Sequence, residues 1–162
     1  MAMPEVVVAL GANLGDPVQQ VHLAMDQLGD IAAGTMIRSS LWQSAPEAMN
    51  DASGTFINAA VAFDTDMQPG ALLAALQAIE IELGRPADHG KNVARRIDLD
   101  LLVYGDELIN EPGLAVPHPR LAQRLFVLLP LAEIRPEFRL PGDGRRIDAL
   151  IEAAPALKIS QL

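Results

Sequence analysis

Residues 95–103 read Arg-Arg-Ile-Asp-Leu-Asp-Leu-Leu-Val, and this stretch predicts a β-strand that carries two carboxylates. The odd positions are uniformly apolar and should line one face of the strand; they are Ile97, Leu99, Leu101 and Val103. Asp98 and Asp100 lie two residues apart, so their side chains should leave the other face about 6–7 Å apart along the strand. Leu102 and Tyr104 should follow on that same face.

Two ionised carboxylates this close repel each other, and burying them without compensation is costly. A divalent cation bound through oxygen offsets the repulsion, and so do the neighbouring Arg95 and Arg96. Carboxylate pairs beside arginines suit magnesium and the phosphates of a substrate. The alternative from this motif alone is an edge strand whose polar face is simply solvated.

The composition is that of a globular protein. The chain has 162 residues, of which 50% are hydrophobic and 20% charged, which predicts a single domain over residues 1–162. The net charge of −9 argues against nucleic acid or a membrane surface as partner, because both require a basic footprint. Ten of the twelve lysines and arginines lie in residues 85–146, so an anionic ligand is expected to meet that part of the chain.

The chain contains no cysteine, which excludes disulfides and thiolate metal sites. This absence is compatible with a reducing compartment, and we expect a cytoplasmic protein. The apolar run at residues 6–10 is too short for a signal sequence or a membrane span.

The order of predicted elements indicates the fold. They are a strand at 5–10, a helix with Asp16 as N-cap and Pro17 at its first position, strands at 35–42 and 56–64, a helix at 66–83 and the Asp-x-Asp strand. This order predicts an α+β, ferredoxin-like split βαβ fold with helices packed on an antiparallel sheet. Further on we expect a hairpin arm at 107–110, a loop at 112–119, a helix at 120–134 interrupted at Pro130, a strand at 138–140 and a helix from 147.

Glu80 interrupts the apolar stripe of the second long helix. It lies four residues after Leu76 and three before Leu83, at the edge of that stripe. A carboxylate there is commonly a boundary residue that reaches water. The other interpretation is a partly buried acid that accepts hydrogen bonds from a ligand or an arginine.

Five ordered segments resemble the 6-hydroxymethyl-7,8-dihydropterin pyrophosphokinase family of folate biosynthesis. They are Ala9-Leu10-Gly11-Ala12-Asn13-Leu14-Gly15, Phe56-Ile57-Asn58-Ala59-Ala60-Val61, Ile79-Glu80-Ile81-Glu82-Leu83-Gly84-Arg85, residues 95–102 and Val116-Pro117-His118-Pro119-Arg120. Their order and spacing are more specific than any one motif, and the resemblance runs nearly end to end. The family fold is ferredoxin-like, in agreement with the predicted order of elements.

The resemblance implies an ATP-dependent pyrophosphokinase that transfers pyrophosphate from ATP to the pterin hydroxymethyl group and releases AMP. Asp98 and Asp100 match the ligands of two Mg²⁺ ions, and Asp100 also matches a group that assists deprotonation of the hydroxyl. Arg85 and Arg95 match catalytic, phosphate-binding arginines, a role that suits guanidinium. The other expected ATP-binding residues are Gln77, Glu80, Lys91, Leu101, His118 and Arg124. For His118, between two prolines, loop packing remains an alternative.

The resemblance also implies a pterin pocket. Phe56 and Phe126 match an aromatic pair that stacks on the flat ring, and Asn58 matches a residue that hydrogen-bonds its edge. Ser44, Ala45 and Pro46 match the loop that completes the pocket. The expected partners are therefore ATP and 6-hydroxymethyl-7,8-dihydropterin, in a monomer or weak dimer. Loops 43–54 and 85–95 are expected to close as lids.

The chain departs from the family pattern before the Asp-x-Asp strand. Residues 91–95 read Lys-Asn-Val-Ala-Arg where many members have Arg-Trp-Gly-Pro-Arg, so the closing tryptophan is missing. Ala87 and Gly113 also replace basic residues found in some members. We expect weaker ATP affinity or slower closure. The alternatives are a divergent copy that binds pterin or nucleotide without turnover, one with another substrate, and a metal-dependent phosphohydrolase.

Overall fold

The computed structural model describes residues 2–45, 55–84 and 97–162. The strands are β1 (Glu5–Ala12), β2 (Ile37–Arg38), β3 (Trp42–Ser44), β4 (Phe56–Asp64), β5 (Asp98–Tyr104), β6 (Ile109–Glu111), β7 (Leu114–Val116) and β8 (Ile159–Gln161). The helices are α1 (Pro17–Ile31), α2 (Pro69–Glu82), α3 (Leu125–Ile134) and α4 (Ile147–Ala153), with a 3-10 turn at Leu121–Gln123. Among these residues, no helix is both long and apolar enough to span a bilayer.

The main sheet confirms the predicted ferredoxin-like fold. Its order is β5-β1-β4-β3-β8, with β2 also paired to β4, and every described pairing is antiparallel. Strand β4 lies between β1 and the two strands that follow α1, which are β2 and β3. Strand β1 lies between β4 and β5, the strand that follows α2. The two βαβ units are therefore split and interleaved. Strands β6 and β7 form a separate two-stranded sheet.

The sheet buries apolar side chains on both faces. One face packs under α1 and α2, around Phe63, Met25 and Leu72. The other packs under α3 and α4, where Ala60 of the sheet meets Leu128 of α3 in the same cluster. Because the second face carries small side chains along β1 and β4, α3 packs close to the strands.

The sequence predicts the start of α1 correctly but not the start of α2. The Asp16 carboxylate accepts from the Gln19 N–H at 3.2 Å, which confirms the predicted cap of α1. Helix α2 begins at Pro69 and not at 66. The segment before it is fixed in a turn, because the Thr65 hydroxyl accepts from the Met67 N–H and the Tyr104 hydroxyl donates to the Met67 carbonyl.

The prediction of one continuous strand at 35–42 is wrong. This segment is divided into β2 and β3, and β3 extends to Ser44, inside the predicted loop. The division falls at Ser39, whose hydroxyl accepts from the Ala60 N–H at 2.9 Å and whose own N–H donates to the Ala60 carbonyl at 2.9 Å. A side chain thus replaces one of the main-chain partners at this point.

The predicted alternation of β5 holds only to Leu101. The pairing with β1 shifts between Val7 and Val8, so Leu102 is an extra residue that reverses the faces beyond it. Val103 consequently packs with Leu102 under α3, and Tyr104 packs on the α1–α2 side. The prediction that Val103 shares a face with Leu99, and Tyr104 with the aspartates, is wrong for this reason.

The second half differs from expectation in five places. The hairpin arm is shifted to Ile109–Glu111, and the expected loop at 112–119 contains β7. The expected helix breaks at Arg124, whereas Pro130 lies inside α3. Proline removes one helical hydrogen bond there, but burial of Leu128 and Leu131 on either side holds the helix on the sheet. The segment at 138–140 makes one isolated bridge to Arg146 instead of a strand, and β8 was not predicted.

Candidate active site

Two adjoining cavities share the side chains Asp98, Asp100 and Arg124; the first lies on the α3 side of the sheet, and the second lies between β5 and α2. The first has a volume of about 300 Å³; its other lining residues are Ala9, Leu10, Gly11, Ser44, Ala45, Phe56, Asn58, Phe126 and Val127. The second has a volume of about 470 Å³; its other lining residues are Leu73, Gln77, Glu80, Leu99, His118 and Arg120. The structure therefore joins an aromatic pocket and a polar pocket at the two carboxylates.

Strand pairing fixes the two aspartates where the cavities meet. Asp98 is paired with Gly11 of β1, which is itself paired with Asn58 of β4; Asp100 is paired with Ala9. The small residues on β1 leave space above the sheet beside the carboxylates. Both aspartates line both cavities, as expected for side chains on one strand face.

The aspartates suit a hard divalent cation. Magnesium is commonly held by one or two carboxylates, with water and substrate phosphates completing its shell. Within the part of the chain that the structure describes, no group of three or more metal-ligating side chains occurs. Two carboxylates facing open volume therefore match a magnesium site completed by a polyphosphate better than a protein-only metal cage.

His118 lies beside the shared carboxylates. Its Nε2 is 4.0 Å from Asp100 Oδ1, and its Nδ1 accepts from the Arg120 N–H at 3.1 Å. Burial lowers the pKa of His118; Asp100 opposes this shift, while Arg124 and Arg120 add to it. A neutral ring with Nδ1 as acceptor carries its proton on Nε2, the atom that lies 4.0 Å from Asp100 Oδ1.

Two aromatic rings flank the first cavity. Phe56 begins β4, and Phe126 lies in the first turn of α3. The guanidinium carbon of Arg124 lies 5.5 Å from the centroid of the Phe126 ring, within the range of a cation–π interaction. The structure thus brings the predicted aromatic pair to one pocket, next to a cation that also faces the second cavity.

Asn58 provides the buried polar edge of the first cavity. It is 2% exposed, and its amide nitrogen donates to Ser44 Oγ at 2.8 Å and to the Trp42 carbonyl at 3.4 Å. Both of these bonds use Nδ2, so Oδ1 is the atom that can accept from a flat ring carrying N–H groups. Strand β3 sets the amide orientation.

Glu80 is a buried acid and not a boundary residue that reaches water. It is 5% exposed, and its Oε2 accepts from the Leu99 N–H at 2.8 Å. This bond attaches α2 to β5 at Leu99, the residue between the two aspartates. The first interpretation from sequence was wrong because the α2–β5 packing covers the edge of the apolar stripe. Glu80 and the exposed Gln77 both line the second cavity.

Not every expected residue meets at the site. Leu101 is 5% exposed and packs in the α1–α2 core, and neither cavity is lined by it. Pro46, Arg85, Lys91 and Arg95 lie outside the described residues, as do most of the two expected lid loops.

Sequence reasoning missed several lining residues. Leu73 and Val127 are apolar residues outside the quoted segments and carry no chemical signal of their own. The other missed residues lie inside three of the quoted segments, so their position in those motifs was the available signal; they are Ala9, Leu10, Gly11, Leu99 and Arg120.

Strand β8 supports the edge of the first cavity. It pairs with β3, and the Ala45 N–H donates to the Lys158 carbonyl at 3.0 Å. We predict that a chain ending at 157 binds the pterin that the resemblance implies for this cavity about fivefold or more weakly, since β3 loses its outer partner, while affinity for ATP stays unchanged. Calorimetric titration of each ligand measures this. Ser160→Ala removes only a side-chain bond to Gln43 and is the control; equal pterin affinity in the shortened chain would contradict the prediction.

The comparisons with known proteins agree with this geometry. The sequence model of 7,8-dihydro-6-hydroxymethylpterin-pyrophosphokinase (HPPK) matches residues 7–136. The 2-amino-4-hydroxy-6-hydroxymethyldihydropteridine pyrophosphokinase of Pseudomonas aeruginosa is 41% identical over 158 residues, covering 97% of this chain and 96% of that protein. The protein of the same name from Haemophilus influenzae is 36% identical over 136 residues, covering 83% and 84%.

A solved structure shows the same fold. The Plasmodium falciparum HPPK-DHPS wild type with SDX-DHP superposes with a TM-score of 0.72 at 17% identity. The match covers 93% of this chain and 44% of that longer one. At this identity the likeness concerns the fold alone, whereas the sequence matches extend over most of the chain. The chain therefore belongs to the 7,8-dihydro-6-hydroxymethylpterin-pyrophosphokinase family of ATP-dependent enzymes.

Proposed function

We propose that this chain transfers the terminal pyrophosphoryl group of ATP to the hydroxymethyl oxygen of 6-hydroxymethyl-7,8-dihydropterin and releases AMP. The observation that carries the proposal is the position of Asp98 and Asp100, which line both cavities. A reaction that joins a flat heterocycle to a polyphosphate needs two such pockets meeting at one charged point.

The first cavity suits the pterin. Phe56 and Phe126 present aromatic faces, and Asn58 offers Oδ1 to the ring edge. Ser44 holds the Asn58 amide, and Ala45 continues the same wall. Pro46 stays a predicted member of this wall. The hydroxymethyl group is then directed to the side where the carboxylates lie.

The second cavity suits the nucleotide. His118, Arg120 and Arg124 offer polar or cationic groups to phosphate oxygens, and Gln77 and Glu80 line the far side. Arg85, Lys91 and Arg95 stay predicted phosphate ligands from the sequence, and Leu101 a predicted ATP contact. Closure by residues of 85–95 also remains a prediction.

The reaction forms a bond between the hydroxymethyl oxygen and the β-phosphorus of ATP. The bond from that phosphorus to the oxygen of the α-phosphate breaks, and AMP leaves with the electron pair. Asp100 is the carboxylate that we propose accepts the hydroxyl proton. Asp98 and Asp100 would hold Mg²⁺, two ions by the family resemblance, and the metal supplies charge neutralisation on the phosphate oxygens. Arg124 adds positive charge beside the same position.

The remaining predictions concern the chain as a whole. We propose that residues 1–162 form a single pyrophosphokinase domain, supported by a sheet that includes both Glu5 and Gln161. A cytoplasmic location and a monomeric or weakly dimeric state stay predictions from the sequence.

Formation of AMP tests the proposed function. The protein is incubated with ATP and magnesium, with and without 6-hydroxymethyl-7,8-dihydropterin. We expect AMP only when the pterin is present. Release of phosphate that does not depend on pterin would indicate a phosphohydrolase, and pterin binding without AMP would indicate a binding protein; either result would overturn the proposal.

A further inference from the structure

A single carboxylate at the end of α3 binds the link between β2 and β3. Glu133 Oε2 accepts from the Ser40 N–H at 2.9 Å and from Ser40 Oγ at 2.7 Å. Its Oε1 accepts from Trp42 Nε1 at 3.0 Å. These bonds join parts of the chain 93 and 91 residues apart. Glu133 itself lies at the surface, outside both cavities.

The bonded strand orients the polar edge of the first cavity. Trp42 is paired with Asn58, and its carbonyl accepts from the Asn58 amide. Ser44, two residues further along β3, accepts from the same amide. A shift of β3 relative to the helix would therefore change where Asn58 Oδ1 lies.

The helix that carries Glu133 also carries the opposite wall. Phe126 lies two turns before Glu133 on α3 and lines the first cavity. Glu133 thus connects the helix that positions the aromatic ring with the strand that positions the amide. No other described side-chain hydrogen bond joins α3 to β3 or to the β2–β3 link.

We propose that Glu133 is a positioning residue that sets the Phe126 wall of the first cavity against its Asn58 edge, and so controls the affinity for pterin. This inference rests on the proposed function, because it takes the pterin as the ligand of that cavity. Glu133 touches neither substrate and has no part in the transfer itself.

The electrostatics favour the ionised carboxylate. Burial raises the pKa of Glu133, but hydrogen bonds from the Ser40 hydroxyl, the Ser40 N–H and the Trp42 indole lower it, and the net shift is downward. A carboxylate has acceptors for all three donors. Glutamine has one acceptor oxygen and presents an NH₂ group to the remaining donor or donors. Glu133→Gln therefore disturbs this contact while preserving size.

A matched control exists on the other side of the same helix end. Arg135, the residue after α3, forms an ion pair with Glu5 of β1, with Nε 2.8 Å from Glu5 Oε1. Glu5→Gln weakens a bond that also anchors this helix end to the sheet, but it leaves β3 and Asn58 untouched. A merely structural role for Glu133 predicts the same result for both variants.

The test compares wild type, Glu133→Gln and Glu5→Gln. We measure the pterin dissociation constant from the fluorescence of Trp42, the only tryptophan in the chain, and by calorimetry, together with KM for pterin and for ATP. We expect Glu133→Gln to weaken pterin binding about tenfold, with ATP KM and kcat near wild type. Glu5→Gln should leave pterin affinity within about twofold of wild type, even if the variant unfolds at a lower temperature.

A double variant sharpens the result. Trp42→Phe removes the indole donor. In that background, Glu133→Gln should weaken pterin binding, measured by calorimetry, by a smaller factor than it does in the wild type. Unchanged pterin affinity in folded Glu133→Gln, or an equal loss in Glu5→Gln, would overturn the inference. Because binding is measured directly, wild type that binds pterin without forming AMP would overturn the proposed function and leave this test valid. Wild type that does not bind pterin would overturn both.

Discussion

Replacing Asp98 by asparagine should lower kcat/KM for AMP formation by about 10²- to 10⁴-fold, since a bound metal supplies several kcal/mol of charge stabilisation and about 1.4 kcal/mol is worth tenfold in rate. The substitution keeps the size of the side chain but removes one of the two carboxylate charges at the junction of the two cavities. Asp98 is partly exposed on β5, so the strand pairing with β1 should survive. Steady-state assays across a magnesium titration measure the loss.

Asp106→Asn is the matched control for Asp98→Asn. Asp106 lies in the exposed turn directly after β5 and lines neither of the two cavities. We expect this variant to retain wild-type activity. Asp98→Asn with the wild-type rate and the wild-type dependence on magnesium would contradict the assignment of the metal ligands.

Asn58→Leu should raise the pterin dissociation constant by roughly 10- to 100-fold, since leaving buried polar groups unpaired costs about 1–3 kcal/mol. The change removes the donor to Ser44 Oγ and the Trp42 carbonyl, and it also removes the acceptor offered to the pterin. Nucleotide affinity should be unaffected, because Asn58 lines only the first cavity. Calorimetric titrations with pterin and with a non-hydrolysable ATP analogue measure the two affinities separately.

The control for Asn58→Leu is the same change at an exposed asparagine of the separate β6–β7 sheet, Asn110→Leu. This variant should bind pterin as wild type does. A folded Asn58→Leu protein with unchanged pterin affinity would show that the first cavity is not where the pterin binds.

Local sequence signals predicted the parts of the fold that depend on neighbouring residues. The strand at Phe56–Asp64 was predicted with its exact limits, because a continuous apolar run is bounded by turn residues. The cap of α1 followed from Asp16 and Pro17 alone. Placement of Asp98 and Asp100 on one face followed from strand periodicity over three residues.

Features set by distant partners could not be predicted in this way. The reversal of faces at Leu102 depends on pairing with β1, and the start of α2 depends on the Tyr104 hydroxyl. Strand β8 has few apolar residues and forms because β3 offers an edge. Burial of Glu80 depends on α2 packing against β5.

The candidate site also contains residues that the sequence predicts and residues whose position depends on distant partners. The residue types at the junction were predicted from motif and resemblance, and the structure brings Asp98, Asp100, His118 and Arg124 together. The resemblance also matched Leu101, whose side chain lies in the core. A residue's place within a motif does not show which face of the strand its side chain occupies. The contribution of Glu133 has no local signal, because its partners are about ninety residues away in sequence.

The fate of the β-phosphate of ATP distinguishes pyrophosphoryl transfer from hydrolysis and from transfer of a single phosphoryl group. ATP labelled with ³²P at the β-position is incubated with magnesium, the protein and 6-hydroxymethyl-7,8-dihydropterin, and the products are separated. Pyrophosphoryl transfer predicts that the label appears in the pterin product, with unlabelled AMP formed in equal amount. Label retained in ADP, or released as inorganic phosphate without a labelled pterin, would contradict pyrophosphoryl transfer.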